Sequence, residues 1–65
     1  MPLVEITLIA GRSGEQKRAV MREVTEVIAR NLEAAPASIR VILREVPGCH
    51  WAVGGEPKGE FPPDG

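Results

Sequence analysis

Aromatic side chains are scarce: one Trp, one Phe and no Tyr, 3% of 65 residues. Any interior must therefore be aliphatic, which a hydrophobic content of 43% permits. The single cysteine, Cys49, excludes an intrachain disulfide. One histidine, and no Cys/His cluster at zinc spacing, leaves no basis for a structural zinc site. Neither sign of charge dominates. Eight basic and nine acidic residues give a net charge of −1, without the basic footprint of a nucleic-acid binder. No apolar run approaches the length of a membrane span. No basic leader precedes an apolar stretch, so no secretory signal is expected. The expectation is a soluble cytoplasmic protein.

A chain this short buries only about 60% of the surface that its unfolded form exposes. One small core rarely supplies more than roughly 3–5 kcal/mol. With neither disulfide nor metal to add to this, association with other chains is the remaining common route to stability.

Residues Leu3-Val4-Glu5-Ile6-Thr7-Leu8-Ile9 read as a strand. Its period of two puts Val4, Ile6 and Leu8 on one face and Leu3, Glu5, Thr7 and Ile9 on the other. Ser13 and Gln16 then match a capping box, with Ser13 as N-cap and Gln16 at N3. Glu15 suits the positive end of the helix dipole. The helix is predicted to run to Leu32 or Glu33, with Pro36 blocking continuation. Val20, Val24, Val27, Ile28 and Leu32 form its apolar stripe. Lys17, Arg18, Arg22, Glu23, Glu26 and Arg30 fall mostly on the other surface.

A second strand is predicted over Ser38–Val46. Ile39, Val41 and Leu43 share one face, and Arg40, Ile42, Arg44 and Val46 the other. Strand, helix and strand give a βαβ unit with parallel strands and a right-handed crossover. After the Pro47-Gly48 turn, Gly54-Gly55 offers the bend of a short hairpin. The fold class is thus α/β (α+β): a βαβ unit plus a C-terminal hairpin. The domain is placed at residues 1–56, with an irregular tail over 57–65. One helix covers one face of a two-stranded sheet. Parallel sheets are normally covered on both sides. A second subunit is expected on the face carrying Leu3, Ile9, Ile42 and Val46.

Pro2 is the first candidate for chemistry. Initiator Met is commonly removed before a small residue, and Pro2 would then carry a free secondary amine. An α-amino group has a reference pKa of about 7.7–8.0. Burial or nearby cations would lower it and leave a neutral base near pH 7. The plain alternative is that proline at position 2 is common and carries no role. Arg12 stands in the loop after the first strand, near the strand ends where ligands of open α/β sheets gather. Arg40 lies on the face assigned to the subunit interface, where a buried charge needs a partner. An anionic ligand held bidentately is one solution. An ion pair to Glu5 or Glu45 across subunits is the other. For Arg12 the ion pair is the simpler account, and Arg44 reads as a rim residue. Trp51 suits either an interface anchor or the wall of a water-excluding site. His50 and Cys49 have no functional case. Gly11-Arg12-Ser13-Gly14 lacks the spacing of a phosphate loop.

With these residues in place, the chain resembles the 4-oxalocrotonate tautomerase family. The matching positions are Pro2; Gly11-Arg12-Ser13 with Glu15-Gln16-Lys17; Ser38-Ile39-Arg40-Val41-Ile42; Glu45; His50-Trp51; and Gly54-Gly55-Glu56. They span residues 2–56 without gaps. The resemblance implies a βαβ unit with a C-terminal hairpin, assembled as a hexamer, a trimer of dimers. It implies cofactor-free proton transfer between carbons of an unsaturated 2-oxo acid. Pro2 would be the base. Arg12 and Arg40 would bind and polarise the substrate, one at a distal carboxylate and one at the 2-oxo, 1-carboxylate end. The backbone N–H of Ile9 and the aromatic wall at Trp51 would complete the site, with groups drawn from more than one subunit. No metal is implied. A small carboxylate substrate and further copies of the chain are the expected partners, with neither nucleic acid nor membrane. A mixed hexamer with a partner chain, or a non-catalytic binding oligomer of the same fold, are the competing readings.

The chain also departs from the family pattern. Trp51 stands where the family usually has Phe. Arg44 stands where it often has a small polar residue. Residues 57–65 have no secure counterpart. Related dehalogenases carry an Arg at the end of the first strand and a Glu in the hairpin region. Here those positions are Ile9 and Val53, so hydration or dehalogenation is not the expected main reaction.

Overall fold

The computed structural model describes residues 1–63. Strand β1 covers Leu3–Ile9, helix α1 Gly14–Leu32 and strand β2 Arg40–Val46. A hairpin of β3 (Ala52–Val53) and β4 (Glu56–Pro57) follows. β1 and β2 pair in parallel, in a register running from Leu3 opposite Arg40 to Ile9 opposite Val46. The βαβ unit and antiparallel hairpin are those the pattern predicts. The tail assigned to 57–65 includes Asp64 and Gly65, which lie outside the described residues.

The helix begins as its sequence dictates. The Ser13 hydroxyl accepts the Gln16 N–H at 3.1 Å, and the Gln16 side chain accepts the Ser13 N–H at 3.1 Å. Two of the otherwise orphaned N-terminal donors are satisfied reciprocally. The helix ends at Glu33, which adopts φ 51° and ψ 44° and donates its N–H to the Ala29 carbonyl. Strand β2 starts two residues later than expected. Pro36–Ser38 forms a 3-10 turn, with Ile39 N–H donating to Pro36 O at 3.0 Å. The Ser38 hydroxyl also donates to Ala35 O at 2.8 Å, so local bonds hold Ser38 in the turn.

The helix packs against β2, over the face of Val4, Ile6, Leu8, Val41 and Leu43, all half-buried. Its inward side holds Met21, Val24, Thr25 and Ile28. Lys17 also turns inward and pairs with Glu45 at 2.9 Å, which corrects its placement on the solvent side. The outer part of the predicted stripe stays uncovered: Val20, Val27 and Leu32 are exposed. A stripe that broad is wider than a two-stranded sheet can cover.

Among the described residues, Ile39 is the single buried hydrophobic side chain, at 8% exposure. The chain exposes 5086 Å², against roughly 4,000 Å² for a compact monomer of this mass. Its radius of gyration is 15.5 Å, where about 11 Å is usual for this length. Alone, the chain is an extended slab. The face away from the helix presents Leu3, 54% exposed, and Ile42, 40% exposed. Among the described residues neither strand has a second neighbour in the sheet, so both outer edges carry unpaired backbone groups.

Candidate active site

Pro2 and Arg40 occupy one end of the sheet. Pro2 is half-buried, and its carbonyl accepts the Arg40 N–H at 3.0 Å. The Arg40 guanidinium donates from one Nη to the Ala37 carbonyl at 2.9 Å. Both carboxylates considered as partners for Arg40 are engaged elsewhere in the chain. Glu5 accepts from Arg44 at 2.7 Å, and Glu45 pairs with Lys17. Arg40 makes no ion pair among the described residues and keeps its remaining N–H donors. Arg44 is therefore tied to Glu5 on the open face. Both members of that pair are at least half exposed, so the bond contributes little stability in the separate chain.

Ile9, Arg12 and Trp51 belong to the opposite end. Ile9 closes β1 opposite Val46, and the Ala10 N–H donates to Val46 O at 2.8 Å. Gly11 then turns the chain at φ 131°, a conformation that side chains disfavour. This releases Arg12 from the sheet just before the helix cap. Arg12 lines a pocket of about 410 Å³ with Leu8, Gln16, Lys17, Val20 and Leu43, between the first turns of α1 and the sheet. It too makes no ion pair among the described residues. Trp51, half-buried, follows a 3-10 turn over Gly48–His50, and its N–H donates to Gly48 O at 3.1 Å. The Gly54-Gly55 turn, with φ 62° and 87°, has the two left-handed residues of a tight hairpin.

The two ends are far apart. Seven residue steps at about 3.3 Å separate Pro2 from Ile9, roughly 23 Å along β1. One chain brings Pro2 to Arg40 and brings Ile9, Arg12 and the Trp51 segment to the other end. It does not bring the two groups together. The sequence reading missed Leu8, Gln16, Lys17 and Leu43 as pocket residues. Parity could have found Glu45, which shares the helix-facing side of β2 with Leu43 and so meets an inward lysine. Among the described residues, no three His, Cys, Asp or Glu side chains gather where they could hold a metal. No helix among them is long and apolar enough to cross a membrane.

Known proteins are similar to this chain in sequence and fold. The model of the tautomerase enzyme family matches residues 2–60. The chain is 48% identical over 56 residues to a 2-hydroxymuconate tautomerase of Stutzerimonas stutzeri, covering 86% of this chain and 89% of the relative. It is 44% identical over 61 residues to a 2-hydroxymuconate tautomerase of Pseudomonas fluorescens, covering 94% and 97%. Among solved structures, it is similar to a heterohexamer 4-oxalocrotonate tautomerase from Chloroflexus aurantiacus J-10-fl. The TM-score is 0.88 at 39% identity, covering 95% of this chain and all of that one.

Proposed function

Since the chain belongs to the tautomerase enzyme family, whose members are isomerases, we propose that it converts the enol form of an unsaturated 2-hydroxy acid, 2-hydroxymuconate or a close analogue, to the 2-oxo form. Pro2, freed of Met1, is the general base. Its secondary amine takes the enol proton, and the resulting ammonium returns a proton to carbon, so no external acid or base is consumed. Arg40 and Arg12 bind the anionic substrate. One holds the 2-oxo, 1-carboxylate end, where negative charge builds in the dienolate. The other holds the distal carboxylate. A charge-assisted contact that strengthens as charge develops lowers the barrier as well as improving binding. The Ile9 backbone N–H and the Trp51 wall complete the site.

The observation that carries this reading is the separation of the two half-sites within one chain, together with two arginines free of ion pairs among the described residues. A site with Pro2 at one end and Arg12 at the other requires at least two copies. The exposed apolar face and the unpaired strand edges supply surfaces for that association. Homo-oligomerisation, as a hexamer built of dimers, is the proposed state. Catalysis by this chain on its own separates it from a mixed assembly like the heterohexameric neighbour. The test is a rate assay on the purified, Met-processed protein with 2-hydroxymuconate and with a monocarboxylate enol. Turnover of both, faster for the diacid, is expected. No turnover of either by the single-chain oligomer would overturn the proposal.

A further inference from the structure

The segment after the hairpin closes back onto the turn that carries Trp51. The Lys58 N–H donates to the Trp51 carbonyl at 2.7 Å, and the Gly59 N–H donates to the Gly48 carbonyl at 3.1 Å. Gly59 lies in backbone contact with the Gly48–His50 turn. A Cβ placed on it would stand 3.1 Å from both Cys49 N and Gly48 C, and 3.2 Å from Gly48 Cα. Beyond it, Phe61 leans on His50 with ring centroids 6.1 Å apart. Trp51 is thus held through its own N–H by Gly48 and through its own carbonyl by Lys58, and Gly59 fills the gap between the two strands of this clasp. No side chain larger than hydrogen fits at Gly59 unless backbone atoms give by a few tenths of an ångström.

We propose that residues 58–61 are a positioning device for Trp51, with Gly59 as the residue that sets how closely the clasp shuts. This rests on the reading of Trp51 as a wall of the substrate site. The wall then belongs to a unit running from Gly48 to Phe61, in which main-chain bonds fix the backbone that carries the aromatic side chain. Gly59 and Lys58 do not touch substrate. They act through the main chain of residue 51.

Trp51 is the only tryptophan, so tryptophan emission reports this position alone. Gly59→Ala is expected to shift the emission to longer wavelength and to increase acrylamide quenching. It is also expected to raise KM severalfold with kcat little changed, the pattern of lost uniform binding. Lys58→Pro removes the N–H that bonds Trp51 and is expected to act in the same direction. Lys58→Ala keeps that N–H and is expected to keep the parental spectrum. Light scattering confirms that each variant remains assembled. Unchanged emission in both Gly59→Ala and Lys58→Pro would overturn the clasp. Altered emission with unchanged KM would overturn its bearing on substrate. If the parent protein turned over no substrate, the proposed function would fail, while the emission measurements would still decide the clasp.

Discussion

The N–H of Arg40 donates to the carbonyl of Pro2 at 3.0 Å, so Pro2, just ahead of β1, and Arg40, first in β2, stand at the same end of the sheet. Arg12 leaves the other end of β1. Because β1 runs unbroken from Leu3 to Ile9, the roughly 23 Å from Pro2 to Ile9 is not closed within one chain.

Subunit sharing follows from that span. A chain that retains Met1, whose Pro2 nitrogen is an amide, should be inactive, and Arg12→Ala should be severely impaired. Mixed, unfolded and refolded together, the two should recover activity. With random assembly about one quarter of two-chain sites would combine an intact Pro2 with an intact Arg12. Activity no higher than the sum of the separate variants would show that each site draws both groups from the same chain.

The arginines should differ in kinetic signature. Arg40→Ala is expected to lower kcat chiefly, by roughly a hundredfold, as when a contact to developing charge is removed. Arg12→Ala is expected to raise KM as well as lower kcat, and to hurt a diacid more than a monoacid. Steady-state assays with both substrates measure this. Equal losses on the two would rule out a distal-carboxylate role for Arg12.

The pH profile tests the base. In the proposed shared site, Arg12, Arg40 and the apolar wall at Trp51 would all disfavour an ammonium at Pro2. The rate should therefore rise with pH through one ionisation that lies below the usual range of about 7.7–8.0 for a terminal amine. The active form is the neutral amine, so activity is lost as pH falls through that ionisation. Pro2→Ala should retain part of the activity through its primary amine. Mass spectrometry of the active protein should show Met1 absent. Full activity with Met1 present would exclude Pro2 as the base.

Much of this was legible in the residues themselves. Alternation alone sorts β1 into its two faces, and Ser13 with Gln16 marks the start of the helix. The paired left-handed glycines 54 and 55 mark the hairpin. The start of β2 was less legible, because Ser38 and Ile39 have strand-like neighbours while Pro36 and the Ser38 hydroxyl favour a local turn. Lys17 was misplaced because helical periodicity gives a face but not the charge waiting beneath it at Glu45. The Lys58–Trp51 and Gly59–Gly48 bonds were invisible for a similar reason: main-chain pairing between short irregular segments leaves no periodic trace. The distance between the half-sites was implicit in the strand length, whereas Arg40's freedom depended on which cations claimed Glu5 and Glu45.

Helix termination gives a stability prediction. Glu33 ends α1 in the left-handed region at φ 51°, where a Cβ costs roughly 1–2 kcal/mol. Glycine avoids that cost but loses more chain entropy on folding. Glu33→Gly should therefore stabilise the protein by about 0.5–1 kcal/mol. Thermal unfolding at fixed protein concentration measures it, and a lower midpoint would contradict the strain argument.

Ile39, the one buried side chain among the described residues, bears on the order of the folding reaction. With Leu3, Val20, Val27, Leu32 and Ile42 all still exposed, a single chain leaves part of its apolar surface in water, and the proposed association would cover it. If copies associate as proposed, encounter completes folding, and the observed rate should rise with chain concentration. A newly made chain would wait, incompletely folded, for a neighbour. The abundance of the protein would set how fast it matures, not only how much of it there is.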